Sequence, residues 1–351
     1  MKQTILIAAG GSGGHVLPAV TIGKELEKFG FDFVITGAGT EIEKVTGEGA
    51  KSRMIPALKP SANPLKFVKF YATYRKGLKQ SYKIIDELHP VAVIGMGNFT
   101  TLPLVVTAKK RKLPVFLHEQ NFIGGRANRF LAGLADVIMV AFDGTKGFPN
   151  KKMEVVGNPI RWPKIEPYSK EAYQFFGLDA GKKTVLIFGG SQGSKLINKS
   201  FLGISRQILE NPDIQWILAT GATSFSHSKL KLEDMNLKNV SLFEFIGDID
   251  KAYSIANLVI SRAGAMTVSE LECYGIPSIL VPRKLSINKH QDFNAKYLAS
   301  KADCIVINED NLASKLEVSI KSLIDKPRTP RECCHANSAV TIAQLVKEVL
   351  Q

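Results

Sequence analysis

The chain has 351 residues, 45% hydrophobic and 22% charged, an ordinary soluble composition with room for about two domains. No apolar run approaches the ~18 residues of a membrane span, and the short run after Met1 meets glycines at once, so it reads as a first strand rather than a signal peptide. The formal net charge is +14, with 22 Lys/Arg against 12 Asp/Glu in residues 1–160, so the first half favours an anionic partner: nucleic acid, an acidic membrane surface or a phosphorylated substrate.

The first half alternates strand and helix patterns. "QTILIAA" is a strand, "PAVTIGKELEKFG" a helix and "DFVITG" a strand. A helix near residues 64–88 follows, then strand "VAVIGM", helix "LPLVVTAKK", strand "PVFLHE", helix "GGRANRFLAGLA" and strands "VIMVA" and "MEVVG". Strands alternating with helices imply parallel sheets wound from βαβ units. Between the first strand and first helix lies "AAGGSGGHVLP", with Gly10, Gly11, Ser12, Gly13, Gly14 and His15. It is not a dinucleotide fingerprint, because Val16 stands where a glycine is required, and no G-K-[ST] follows to make a Walker A loop. Glycines still let backbone N–H groups approach an anion, and the helix start adds its positive end, although a tight turn without a ligand fits the same residues. His15 follows, and a histidine ordinarily titrates in the range useful for proton transfer near neutrality.

Residues 64–83 place Phe67, Phe70, Tyr71, Tyr74, Leu78 and Tyr82 at helical spacing, and residues 59–83 hold seven Lys/Arg and no acid. Such a helix either packs its aromatics on the core or lies on an anionic membrane. Nucleic acid is disfavoured, since no recognised nucleic-acid motif is present. At the end of strand "PVFL", His118, Glu119, Gln120 and Asn121 cluster where parallel α/β proteins build sites, with Asn128 in the following helix. A polar cap bonded to itself is the alternative.

The second half restarts the rhythm. "KTVLIFGG" is a strand, "KLINKSFLGISRQIL" a helix and "IQWILATG" a strand; "VSLFEFI", "LVISRAG", helix "AMTVSELECYG" and strand "PSILVP" follow, with a last helix near the C-terminus. "LIFGGSQGSK" echoes "LIAAGGSGGH" about half a chain earlier, so two similar α/β domains are expected, joined near the proline-rich "GNPIRWPKIEPY". The turn "GGSQGS" offers Ser191 and Gln192 as further donors. In "SRAGAMTVSE", Glu270 lies one turn into a helix, where a carboxylate accepts hydrogen bonds from a ribose diol or is simply solvated. "HQDFNA" adds Gln291 as a partner for sugar hydroxyls. The four cysteines, Cys273, Cys304, Cys333 and Cys334, have no metal-ligand spacing and read as reduced thiols, with the adjacent pair 333–334 a redox alternative.

In order, "GGSGGHVLPA", "GMGNFTTLP", "HEQNFIGGRANR", "GNPIR", "GGSQGSKLIN", "SRAGAMTVSELECYGIPSILVP" and "HQDFNA" resemble the MurG-type N-acetylglucosaminyltransferases, which make lipid II from lipid I, over residues 5 to about 300. The resemblance implies an α/β GT-B fold, two Rossmann-like parallel-sheet domains facing a cleft. It places an acceptor domain over 1–160, a UDP-GlcNAc domain over 161–335, and a C-terminal helix over 336–351 packed back on the first. By resemblance, UDP-GlcNAc contacts Ser12, Gly13, Gly14, Asn121, Arg161, Ser191, Ile246, Ala265, Met266, Thr267, Val268, Ser269, Glu270 and Gln291. The lipid I acceptor contacts Gly10, Gly11, His118 and Asn128, with His15 or Glu119 as the base. No cofactor or metal is required by the sequence. The further partner is an anionic membrane surface met through residues 64–83, at the cytoplasmic face of the bacterial plasma membrane. The chain departs from the family's usual residues at Ser12 (threonine), Asn98 and Phe99 (glycine and tyrosine) and Lys289 (an acid).

Overall fold

The computed structural model describes residues 2–10, 13–38, 49–149, 153–286 and 289–351. The chain divides into two compact units, Met1–Arg161 with Cys334–Gln351, and Trp162–Cys333.

In the first unit the strands are β1 (Gln3–Ala8), β2 (Phe31–Gly37), β3 (Ser52–Met54), β4 (Ala92–Gly95), β5 (Val115–Glu119), β6 (Val137–Val140) and β7 (Met153–Val155). They form one sheet in the order β3-β2-β1-β4-β5-β6-β7. Every named pairing is parallel, with Ile5 beside Phe33 on one side and Ala92 on the other. Such strands are buried on both faces, and β1 supplies Ile5, Leu6 and Ile7 to opposite layers of the core. The helices are α1 (Gly13–Lys28), α2 (Pro64–Leu88), α3 (Leu102–Lys110) and α4 (Arg126–Leu131). The last helix of the chain, Ser338–Leu350, returns to this unit, and its Ile342, Ala343 and Val346 share a cluster with Ile5, Val16 and Val20.

The second unit has strands β8 (Lys183–Phe188), β9 (Ile214–Ala219), β10 (Val240–Phe243), β11 (Leu258–Ser261), β12 (Ser278–Leu280) and β13 (Cys304–Val306). Their order is β10-β9-β8-β11-β12-β13, again all parallel. Its helices are α5 (Lys170–Phe176), α6 (Lys195–Leu202), α7 (Arg206–Leu209), α8 (Phe225–Asp234), α9 (Ile249–Ile255), α10 (Ala265–Tyr274), α11 (His290–Ala299) and α12 (Leu312–Leu323), which makes Ser338–Leu350 α13. Trp216, buried with Phe201 at 5.1 Å between ring centroids, anchors the face where α6 packs.

Each sheet has one topological switch point, between β1 and β4 in the first unit and between β8 and β11 in the second. Ligands of open α/β sheets bind outside the strand ends at such points. The segments there are the turns after Ala8, Gly95, Phe188 and Ser261, which are the motif-bearing segments of the sequence.

The reduced-thiol expectation is overturned at one pair: Cys273 and Cys333 form a disulfide, with Cα atoms 5.7 Å apart. The segment after α12 runs back along the end of α10, with Thr329 N–H donating to Gly275 O at 2.9 Å, and this brings Cys333 beside Cys273. A separation of 60 residues carries no local signal of that contact. Cys304 and Cys334 are free thiols.

Candidate functional site

In the first unit, Gly10 follows β1 directly, and Gly11 and Ser12 lie outside the described residues. Gly10 is closely packed: a Cβ on it would sit 3.0 Å from both Ala38 O and Thr100 Oγ1, so any larger residue would push these neighbours by a few tenths of an ångström. Gly13 and Gly14 open α1, and His15 is half-buried in its first turn. The positive end of a 16-residue helix thus meets this residue.

Glu119 closes β5 and organises the polar cluster. Its Oε1 accepts from Asn121 N at 3.0 Å and Asn121 Nδ2 at 3.1 Å, and its Oε2 accepts from Gly125 N at 2.8 Å and Asn128 Nδ2 at 3.0 Å. Four N–H donors occupy this buried carboxylate, so taking a substrate proton would mean breaking bonds that shape the loop. Asn128 is buried and also donates to His118 O at 3.0 Å. His118 is fully enclosed, with Nε2 2.9 Å from Gly157 O. Burial, with His15 and His335 nearby, pulls its pKa down to about 4 against the opposing pull of that bond, so the ring is neutral and Nε2–H donates. The side chains of His118 and Asn128 are therefore buried and hold the backbone around Gly157 and β5 in place. Arg161 ends this unit and is exposed.

In the second unit, the turn after β8 leads into α6, whose first turn is already capped: Ser194 Oγ accepts from Ile197 N at 3.4 Å. Ser191 and Gln192 are exposed on this turn. Gly193, at φ 72°, is pressed so close to the next loop that a Cβ would lie 2.0 Å from Thr220 O. Part of the glycine content thus serves loop-to-loop packing. Asn198 reinforces the joint by donating from Nδ2 to Thr220 O at 3.0 Å.

The helix after β11 is different. Its N-cap Gly264 offers no side chain, so the first N–H groups of α10 have no side-chain cap. This is a fitting place for a phosphate. Ala265, Met266, Thr267 and Glu270 are half-buried along it, whereas Val268 and Ser269 are fully buried, so their side chains belong to the core. Ile246 is buried as well. Glu270 Oε2 accepts from the phenol of Tyr253 at 2.9 Å, which leaves Oε1 for a ligand. Burial raises the Glu270 carboxyl to about 7, and the Tyr253 bond pulls the other way.

Gln291 Oε1 accepts from Arg283 N at 2.8 Å, which directs this side chain to brace the loop after β12 and leaves its amide N–H groups to donate. Glu309 braces the same loop: Oε1 pairs with Arg262 at 2.6 Å and Oε2 accepts from Lys284 N at 3.2 Å. Lys289 caps α11 in a left-handed conformation, φ 53°. Tyr253, Arg262 and Glu309 are polar residues of these clusters that sequence reasoning did not single out, whereas Asn98, noted in the sequence as a departure from the family pattern, donates to Gly10 O. Tyr253 and Glu309 act across elements and lie in no motif; Arg262 lies within "SRAGAMTVSE", where a polar residue at a strand end was the available signal.

The chain matches the glycosyltransferase family 28 N-terminal domain over residues 5–140 and the C-terminal domain over 184–349. A Finegoldia magna protein named UDP-N-acetylglucosamine--N-acetylmuramyl-(pentapeptide) pyrophosphoryl-undecaprenol N-acetylglucosamine transferase is 34% identical, over 89% of this chain and 86% of its own. Among solved structures, Acinetobacter baumannii MurG superposes with TM-score 0.72 at 23% identity, covering 99% of both chains. UDP-GlcNAc 2-epimerase from Neisseria meningitidis superposes with TM-score 0.68 at 14% identity, covering 99% of this chain and 100% of its own. These structural likenesses establish the GT-B type of fold, two parallel α/β domains, and no more. The sequence identity goes further: the chain belongs to glycosyltransferase family 28, among the N-acetylglucosamine transferases that carry the name of the Finegoldia protein.

Proposed function

We propose that the chain moves GlcNAc from UDP-GlcNAc to the C4 hydroxyl of MurNAc in lipid I, giving lipid II for peptidoglycan synthesis. The observation that carries this reading is the end of β11, where the uncapped start of α10 adjoins the Glu270 carboxylate. An N–H cluster suits a diphosphate and a carboxylate edge suits a ribose diol, as a nucleotide-sugar donor requires. The acceptor comes from the names of the relatives.

In this reading the C4 oxygen attacks the anomeric carbon from the face opposite UDP. The new C–O bond forms as the bond to the β-phosphate oxygen breaks, and UDP leaves with the electron pair. An α-linked donor thereby gives a β-linked product. The hydroxyl proton passes to His15, the base we favour, because Glu119 is occupied by four donors. Developing charge on the leaving diphosphate is met by the N–H groups of α10, with Arg161 as a further cation.

The chain also docks, in this reading, on the anionic cytoplasmic face of the plasma membrane through the first half of α2. No helix among the described residues is long and apolar enough to cross a membrane. The start of α2 exposes Leu65 at 83%, Val68 at 67%, Phe67 and Tyr71, flanked by exposed Lys66, Lys69 and Lys76. Apolar side chains beside lysines favour a charged lipid surface.

A UDP-release assay with and without lipid I tests the catalytic reading. Release that depends on lipid I is expected. Conversion of UDP-GlcNAc without a lipid would favour an epimerase on the same fold, and vesicle binding with no turnover would favour a non-catalytic scaffold.

A further inference from the structure

Asn98 adopts a backbone conformation that a side chain rarely tolerates, with φ 71° and ψ 162°. Glycine would sit there without strain. Its amide group spans the switch point of the first sheet. Nδ2 donates to Gly10 O at 3.0 Å, 88 residues earlier in the chain, and Oδ1 accepts from Phe99 N at 2.6 Å. Thr101 Oγ1 donates to Asn98 O at 2.7 Å, so both ends of the residue are fixed. Beside it, the buried hydroxyl of Thr100 lies against Gly10 and has no hydrogen-bond partner among the described residues, which leaves a polar group unspent at the same spot. On the other flank, Gly97 lies against the amide of Asn128, so the loop joins the Glu119 cluster to Gly10.

We propose that Asn98 is a positioning residue for the acceptor, holding the Gly10 carbonyl in place where β1 ends beside β4. The inference rests on the reading that the first unit takes lipid I. Its energetic logic is a strained residue retained for one long-range bond: a glycine here removes the strain and the bond together.

The test is Asn98→Gly, measured three ways. The variant is expected to keep or raise its Tm, to raise the KM for lipid I by roughly five- to tenfold, the worth of one hydrogen bond, and to leave the KM for UDP-GlcNAc unchanged. Hydrogen exchange in the peptide spanning residues 9–20 is expected to quicken in the free protein. An unchanged KM for lipid I overturns the proposal. So does a lower Tm with both KM values rising together, which marks a purely structural residue. If the wild-type protein fails to use lipid I, the acceptor reading falls instead. Exchange across residues 9–20 then still decides whether Asn98 holds the turn, and unchanged exchange in the variant overturns that.

Discussion

In the proposed donor-binding role, Glu270 combines two demands that pull against each other. A ribose diol needs an ionised acceptor, while burial favours the protonated carboxyl and raises it from 4.5 to about 7. The KM for UDP-GlcNAc should therefore climb as pH falls below about 7, approaching a tenfold rise per pH unit well below that point. Because the Tyr253 phenol lowers the Glu270 pKa, Tyr253→Phe should move the inflection to higher pH with little change in kcat. The linked effect on folding has the opposite sense. A raised carboxyl costs stability that is absent below about 4.5 and grows as pH rises to about 7. Glu270→Gln should thus raise Tm at pH 8, leave it unchanged at pH 4, and raise the KM for UDP-GlcNAc by roughly tenfold or more, as loss of a charged hydrogen bond implies. At the other centre, His15→Ala should lower kcat by about 10²–10⁴-fold and flatten the acidic limb of the pH profile, with the KM for UDP-GlcNAc held. Near-normal turnover with an unchanged profile would remove His15 from the base role. The position of Glu270 one turn into a helix was legible in the sequence, and the structure places it there. Tyr253 was not, because its contact with Glu270 joins α9 to α10 through the packed interior, and no local spacing encodes it.

Helix α2 shows how far periodicity reaches. The aromatic spacing gives the helix, and the structure starts it at Pro64 with Asn63 as cap, its Oδ1 accepting from Lys66 N at 3.2 Å. Periodicity could not separate a core-facing from a solvent-facing aromatic row. The structure does, because α2 sits on its unit through Gly77, Ser81, Ile84 and Ile85 in its second half. Its first half is left with Phe67 and Tyr71 exposed and Phe70 stacked on Tyr74 at 6.1 Å. Replacing Lys66, Lys69 and Lys76 with glutamate should lower partitioning onto anionic vesicles by about a hundredfold or more at low salt, at ~1 kcal/mol per lysine before charge reversal is counted. Vesicle sedimentation checks this, and equal binding by the variant would sink the membrane role. The sheets were legible because buried parallel strands read as short apolar runs. The three-residue edge strands β3 and β13 were missed, since "SRM" carries no such run and "CIV" is too short to stand out, and each pairs with one neighbour only.

For the whole molecule, the second unit carries a covalent closure that composition did not reveal. Cys273→Ser, or reduction, should lower the stability of the Trp162–Cys333 unit by roughly 2–4 kcal/mol, seen as a lower Tm by calorimetry. An equal Tm with and without reductant would show that the bridge contributes nothing to stability. Fold alone leaves the chemistry open, since a transferase and an epimerase superpose on this chain almost equally well. The measurement that bears most directly on the proposed activity is the structure of the lipid product formed from UDP-GlcNAc and lipid I. Mass spectrometry should show one added GlcNAc, and NMR should show a β-linkage to C4 of MurNAc. An α-linkage would contradict the single displacement, and unchanged lipid I with the donor sugar converted to its 2-epimer would contradict the transferase itself.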